Sequence, residues 1–268
     1  MNGCSTRIPM ATTKRDKPED SGVLVVSQDK PLKANCWSCG AMRAAHFCQS
    51  CGKVQPPVPV DYFTFFGLPY RLNIDTEQLE LDFYDLSRHL HPDINAASSN
   101  SEQEWSLEKS SQLNDAYRTL KDPIARTEYL LRLQGVELEE QSKTATEEAR
   151  RTGATKKQAV PPDLLEEVFE LNMQLEELRM NKKMGEDDRT LENDVRKTKQ
   201  HLQTKHEGLI EELRSAWNDW DALIDSSQRG QTVLESDRTK VRNRMVDVLN
   251  RRSYIRNLLR DVDAVLEG

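Results

Sequence analysis

Residues 86–99 read LSRHLHPDINAASS, and the fold turns on how that stretch is read. Upstream of it, Leu79, Phe83, Leu86 and Leu90 recur at steps of four, three and four, the single buried stripe of an amphipathic helix. Downstream, a second helical run starts near Ser101 and carries Trp105, Leu113, Tyr117 and Leu120, which can face the first stripe across an antiparallel hairpin. The polar loop between them holds His91-Pro92-Asp93 at its tip. Proline fixes φ and removes a donor, so the turn is stiff. Asp93 offers a carboxylate that a partner's arginine can clamp bidentately, and His91 a directional hydrogen bond beside it. The plainer reading is a helix end, with a histidine near the last carbonyls and a proline as stop signal.

The flanks extend this block. Asp61-Tyr62-Phe63, Phe65, Phe66 and Leu68 form a short apolar opening helix, ended by Gly67 and Pro69, and Asp75 or Thr76 caps the helix that follows. Ahead of it, Cys36-x-x-Cys39 and Cys48-x-x-Cys51 make a double CxxC, with Gly40 and Gly52 directly after each pair. A CxxC turn sets two thiolates on one side of an ion, so Cys36, Cys39, Cys48 and Cys51 read as a closed structural zinc site. Trp37 and Phe47 are expected to cover its miniature core, and His46 remains open as a substitute ligand. Paired disulfides and a redox CxxC are the other readings of four such cysteines. The first suits a secreted chain, the second a strand-helix context missing here.

A net charge of -7 argues against a general nucleic-acid binder, whose affinity rests on Lys and Arg at phosphates. No apolar run approaches the roughly 18–20 residues a membrane span needs, so no membrane partner is expected. Residues 1–34 read as a disordered leader, with Cys4 a lone thiol. Asp16, Glu19, Asp20 and Asp29 suit a cytoplasmic chain better than a transit peptide, with the mitochondrial matrix the alternative. The domain plan is then leader 1–34, zinc module 35–55, helical block 60–135, connector 136–162 and helical bundle 163–268. The class is all-α.

In the last part, Leu164, Val168, Leu171, Leu175 and Leu178 form a bundle seam, while Leu165, Phe169 and Met173 fall on another face of the same helix. Leu209, Leu213, Trp217 and Trp220, then Val241, Met245, Val248, Ile255, Leu259 and Val262, supply the partners of a three-helix bundle. The second stripe is either a wide buried face or an uncovered patch for a partner protein. The pattern leaves a homodimer open.

DYFTFFGLP (61–69), the His-Pro-Asp loop and LNDAYRTLKDPIARTEYLL (113–131), in that order, resemble the HscB family, the J-domain co-chaperones of iron–sulfur cluster assembly. General J domains share the loop and the pattern from Asn114 to Tyr117; the continuation through Tyr129-Leu130-Leu131 looks like HscB. The resemblance implies a non-enzymatic adaptor between an HscA/DnaK-type chaperone ATPase and an IscU-type scaffold protein. Chaperone docking would fall on His91, Pro92, Asp93 and Arg88, and scaffold binding on Leu165, Phe169, Glu170, Met173 and Tyr254. The alternative is a general J-domain co-chaperone with a different client. Three departures stand out, the first being a connector at 139–162 longer than the family's. The helix before the loop carries Glu77, Glu80, Asp82 and Asp85 where J domains present basic residues, and Glu166 stands where the family often has an apolar one.

Overall fold

The computed structural model describes residues 35–42, 45–95, 98–136, 138, 161–186 and 188–267. The leader with Cys4, and residues 139–160 of the connector, lie outside the described residues. The described part is helical: α1 (Tyr62–Phe66), α2 (Thr76–Leu90), α3 (Asn100–Lys121), α4 (Pro123–Leu133), α5 (Leu165–Met184), α6 (Arg189–Gln228) and α7 (Glu235–Glu267). Among the described residues, β pairing is limited to one isolated bridge, Phe47 with Val54.

Local chemistry sets the helix ends. Asp75 accepts from the Glu77 and Gln78 amides, and Ser99 with Glu102 closes a capping box at the start of α3. Asp122 ends α3 and caps α4, whose first residue is Pro123. Helices α2 and α3 pack as the antiparallel hairpin the stripes predict, with Phe83 stacked on Tyr117 at 4.2 Å between ring centroids.

In the bundle, Leu164, Val168, Leu171, Leu175 and Leu178 are all buried, against Leu209, Leu213, Trp217, Trp220, Met245, Val248 and Val262. The same core continues without a break into Phe63, Tyr70, Leu72, Tyr129 and Leu130 of the N-terminal helices. Truncating one such leucine to alanine costs about 2–5 kcal/mol.

The seam between the two halves is polar as well. The Trp220 indole donates to the Tyr70 carbonyl at 2.9 Å. Asp221, buried on α6, accepts from the Leu72 amide at 2.8 Å, the Asn73 amide at 2.9 Å and the Asn73 carboxamide at 2.9 Å. Hydrogen bonds to a charged group contribute more than neutral ones, so Asp221→Ala should lower stability in urea unfolding by about 2–3 kcal/mol. A loss below about 0.5 kcal/mol, the range of a featureless surface change, would mean that other contacts hold the seam.

Candidate functional site

The loop at the hairpin tip is built by its own sequence. His91 precedes proline and sits at φ -64, ψ 132, an extended conformation that ends α2. The freed Leu90 carbonyl accepts hydroxyls from Ser106 and Ser110 of α3, each at 2.6 Å. Asn95, buried beneath the loop, donates its carboxamide to the His89 and His91 carbonyls and to the Ser106 hydroxyl. Above this anchored floor the functional groups point outward. The His91 side chain is 54% exposed and that of Asp93 89%. The Asp93 amide donates to His91 Nδ1 at 3.2 Å, so Nε2 carries the N–H of the ring. Arg88 is exposed one turn earlier, on the same helix as exposed Leu81, Tyr84 and Asp85.

The cysteine cluster is the second site. The two knuckles have matching geometry. The Gly40 amide returns to the Cys36 carbonyl at 2.9 Å and the Gly52 amide to that of Cys48 at 2.8 Å. Both glycines lie at positive φ, 72° and 74°, where a side chain would be strained. The Cys36–Cys51 and Cys39–Cys48 sulfurs are each 3.7 Å apart, and all four lie within 4.8 Å of one another. Thiolates about 2.3 Å from a tetrahedral zinc ion would stand about 3.8 Å apart, so the sulfurs fit a metal ion.

Their titration agrees. Burial works against a Cys36 thiolate, yet the Cys39 and Ser38 amides and the Gln55 carboxamide hold it down at about 6. The Ala41 amide favours the Cys39 thiolate, but the Cys51, Cys48 and Cys36 sulfurs push it up to about 12. Four thiols this close cannot all ionise until a cation neutralises them.

One open alternative for this module closes and one expectation changes. His46 stands apart from the sulfurs: it is buried, and its Nε2 donates to the Phe65 carbonyl at 2.8 Å. Burial pushes its pKa down to about 4, against the Phe65 bond, so the ring is neutral. Trp37 and Phe47 do not close a miniature core. Trp37 packs edge-on against Trp105 and Phe47 stacks flat on His89, at 5.7 and 4.0 Å between centroids, so both cover the hairpin instead. The module is too small to bury two such rings by itself, and the hairpin offers the larger surface.

On α5 the second stripe is bare. Leu165, Phe169 and Met173 are 54%, 69% and 60% exposed, which removes the wide-buried-face reading. Met180 and Met184 are exposed too, and at 100° per residue the five side chains fall within an arc of about 100°. Glu170 and Glu166 are exposed on this helix as well. Tyr254 is half-buried on α7 and packs against the core.

No family model matches the chain. Among solved structures it is similar to the human co-chaperone protein HscB, with 21% identity, 86% of this chain and 98% of that one covered, and a TM-score of 0.52. The chain has the HscB fold. The chaperone HscB from Vibrio cholerae is also similar, at 24% identity, covering 76% of this chain and 97% of that one with a TM-score of 0.46.

Several residues that shape the site on this HscB fold escape a sequence reading. Ser106, Lys109 and Ser110 interrupt the apolar face of α3, and that interruption is the signal to look for. Each has a bond to make: the serines to Leu90, and Lys109 to the His46 carbonyl at 3.1 Å. Burial lowers the Lys109 pKa to about 8, against the pull of Glu108. Met180 and Met184 are masked by Lys182 and Lys183, which make that turn read as a solvated helix end.

Proposed function

We propose that this chain is a non-enzymatic co-chaperone of iron–sulfur cluster protein maturation. Its bundle captures an IscU-type scaffold protein on the α5 stripe, and the His91-Pro92-Asp93 loop docks on an HscA/DnaK-type chaperone and stimulates ATP hydrolysis. One observation carries the reading: an outward, rigidly floored His-Pro-Asp turn and a bare apolar helix face occur on one HscB-like fold. In such an arrangement one protein holds client and motor together, and simultaneous engagement raises the effective concentration of each for the other.

Arg88 and the loop make the chaperone contact, and Leu165, Phe169, Met173 and Glu170 the scaffold contact, with Tyr254 at its edge. Zinc is the ion we assign to Cys36, Cys39, Cys48 and Cys51, since an all-thiolate tetrahedron suits it and leaves no open position for catalysis. When bound it supplies rigidity to the module, not chemistry. We place the chain in the cytoplasm.

A pull-down with the full chain as bait should retain both an IscU-type scaffold and an HscA/DnaK-type chaperone. It should also raise the chaperone's ATP turnover when the scaffold is present. A chain that raises turnover yet never retains the scaffold would instead be a general J-domain co-chaperone with another client.

A further inference from the structure

The cysteine module does more than sit beside the helical hairpin: it holds both ends of the loop. The second knuckle is a small hairpin whose strands are joined at the Phe47–Val54 bridge and whose tip carries Cys48 and Cys51. From one strand, Phe47 stacks on His89 in the last turn of α2, two residues before His91, with the rings 4° from parallel. From the other, Lys53 pairs at 2.9 Å with Glu102 in the first turn of α3. Glu102 is the residue that also accepts from the Ser99 amide and hydroxyl, and so caps α3 just past the loop. Its carboxyl is buried, which disfavours its charge, and Lys53 with Ser99 more than offsets that and lowers its pKa. Between the two grips, Val54 is fully buried in a cluster with Phe65, Leu90, Leu113 and Ala116.

We infer that the Phe47–Val54 hairpin is a clamp that fixes the span of the His-Pro-Asp loop, with Phe47 and Lys53 as its positioning residues. The claim that this matters for chaperone stimulation rests on the docking role proposed above; the clamp itself does not. Cys48 and Cys51 close the tip of the hairpin, so an ion held by the four sulfurs also holds the two grips at fixed separation. Loop order and metal occupancy are therefore coupled, by linkage, in both directions.

The test is amide hydrogen exchange on the full-length, metal-loaded chain, with metal content measured on each sample. Ile94 and Asn95 report on the loop, because their amides donate to the His91 and Pro92 carbonyls. A lost aromatic stack, or a buried Glu102 carboxylate left without its half-exposed Lys53 partner, is expected to open them roughly tenfold more often in Phe47→Ala and in Lys53→Met. Phe47→Tyr, which keeps the ring, should exchange like the wild type. Chelation of the wild-type chain should raise the same amides, while amides in α5 stay unchanged. If both variants hold their metal and exchange at wild-type rates at Ile94 and Asn95, the clamp is wrong.

Chaperone stimulation is measured alongside. A fall in stimulation in Phe47→Ala and Lys53→Met, with scaffold binding intact, supports the functional coupling. Faster exchange in a chain whose wild type never stimulates any chaperone supports the clamp and overturns only the docking reading.

Discussion

Replacing His91 with glutamine is expected to return the chaperone's ATP turnover to its basal rate while scaffold binding stays at wild-type strength. The side chain is more than half exposed, and its Nδ1 accepts the Asp93 amide at 3.2 Å, with the Asp93 carboxylate 3.8 Å from the same nitrogen. Losing that exposed bond costs no more than about 1 kcal/mol, so the variant should unfold within a few degrees of the wild type. What glutamine cannot reproduce is the ring itself. Nδ1 is occupied by the Asp93 amide, and the other ring nitrogen, Nε2, is a donor fixed by a stiff ring two bonds from the backbone. A flexible carboxamide holds no such direction, and a docking contact formed by one rigid turn loses its strength with its geometry. Unchanged stimulation by a folded His91→Gln chain would sink the chaperone assignment. Loss of scaffold binding as well would point to a general folding defect.

The parts legible from sequence are those governed by period. The stripes of α2, α3 and α5 repeat along one helix face, so Leu79, Leu90, Leu113, Leu171 and Leu175 could be assigned to a core without knowing what they touch. The double CxxC is local too, and its knuckles close through bonds four or five residues apart.

How the pieces dock has no such period. The cysteine module meets α3 through single pairs such as Lys53–Glu102, 49 residues apart, and Lys109–His46, 63 apart. The two halves of the chain join through Asp221 and backbone amides at Leu72 and Asn73, up to 149 residues away. An amide leaves no mark in a sequence, because every residue but proline has one. The expectation that Trp37 and Phe47 cover their own core failed for the same reason: that a ring packs on something is legible, the surface it meets, here Trp105 and His89 of the hairpin, is not.

The acidic face of α2 lies between these cases. Its charges were plain from Glu77, Glu80, Asp82 and Asp85, and the structure adds that exposed Leu81 and Tyr84 share the helix with them. If α2 is the docking surface proposed above, it would rely less on long-range charge attraction and more on contact, so salt should weaken it less than it would a basic helix.

The stripe on α5 offers the second large effect. Leu165→Ser with Phe169→Ser should weaken binding to an IscU-type scaffold by roughly a hundredfold, since each truncated apolar anchor at an interface centre costs on the order of 1–3 kcal/mol. The fold should not notice. Both side chains are more than half exposed, whereas the seam that holds α5 in the bundle lies on the opposite face, at Val168, Leu171 and Leu175. Leu171→Ala is therefore the matching control. It removes a residue 1% exposed, should cost about 2–5 kcal/mol of stability, and can affect binding only by unfolding the helix. Titration calorimetry of the double variant, with its thermal midpoint as the check on folding, separates the two outcomes. A midpoint held and an affinity lost places the client on the stripe. An affinity within about twofold of wild type, well below the 1.4 kcal/mol that a tenfold change represents, would move the client to another surface of the bundle. Because His91 is on the other half of the molecule, stimulation by the scaffold-free double variant should match the wild type. The two functions then fail independently, one with each variant, as an adaptor with separate client and motor surfaces requires.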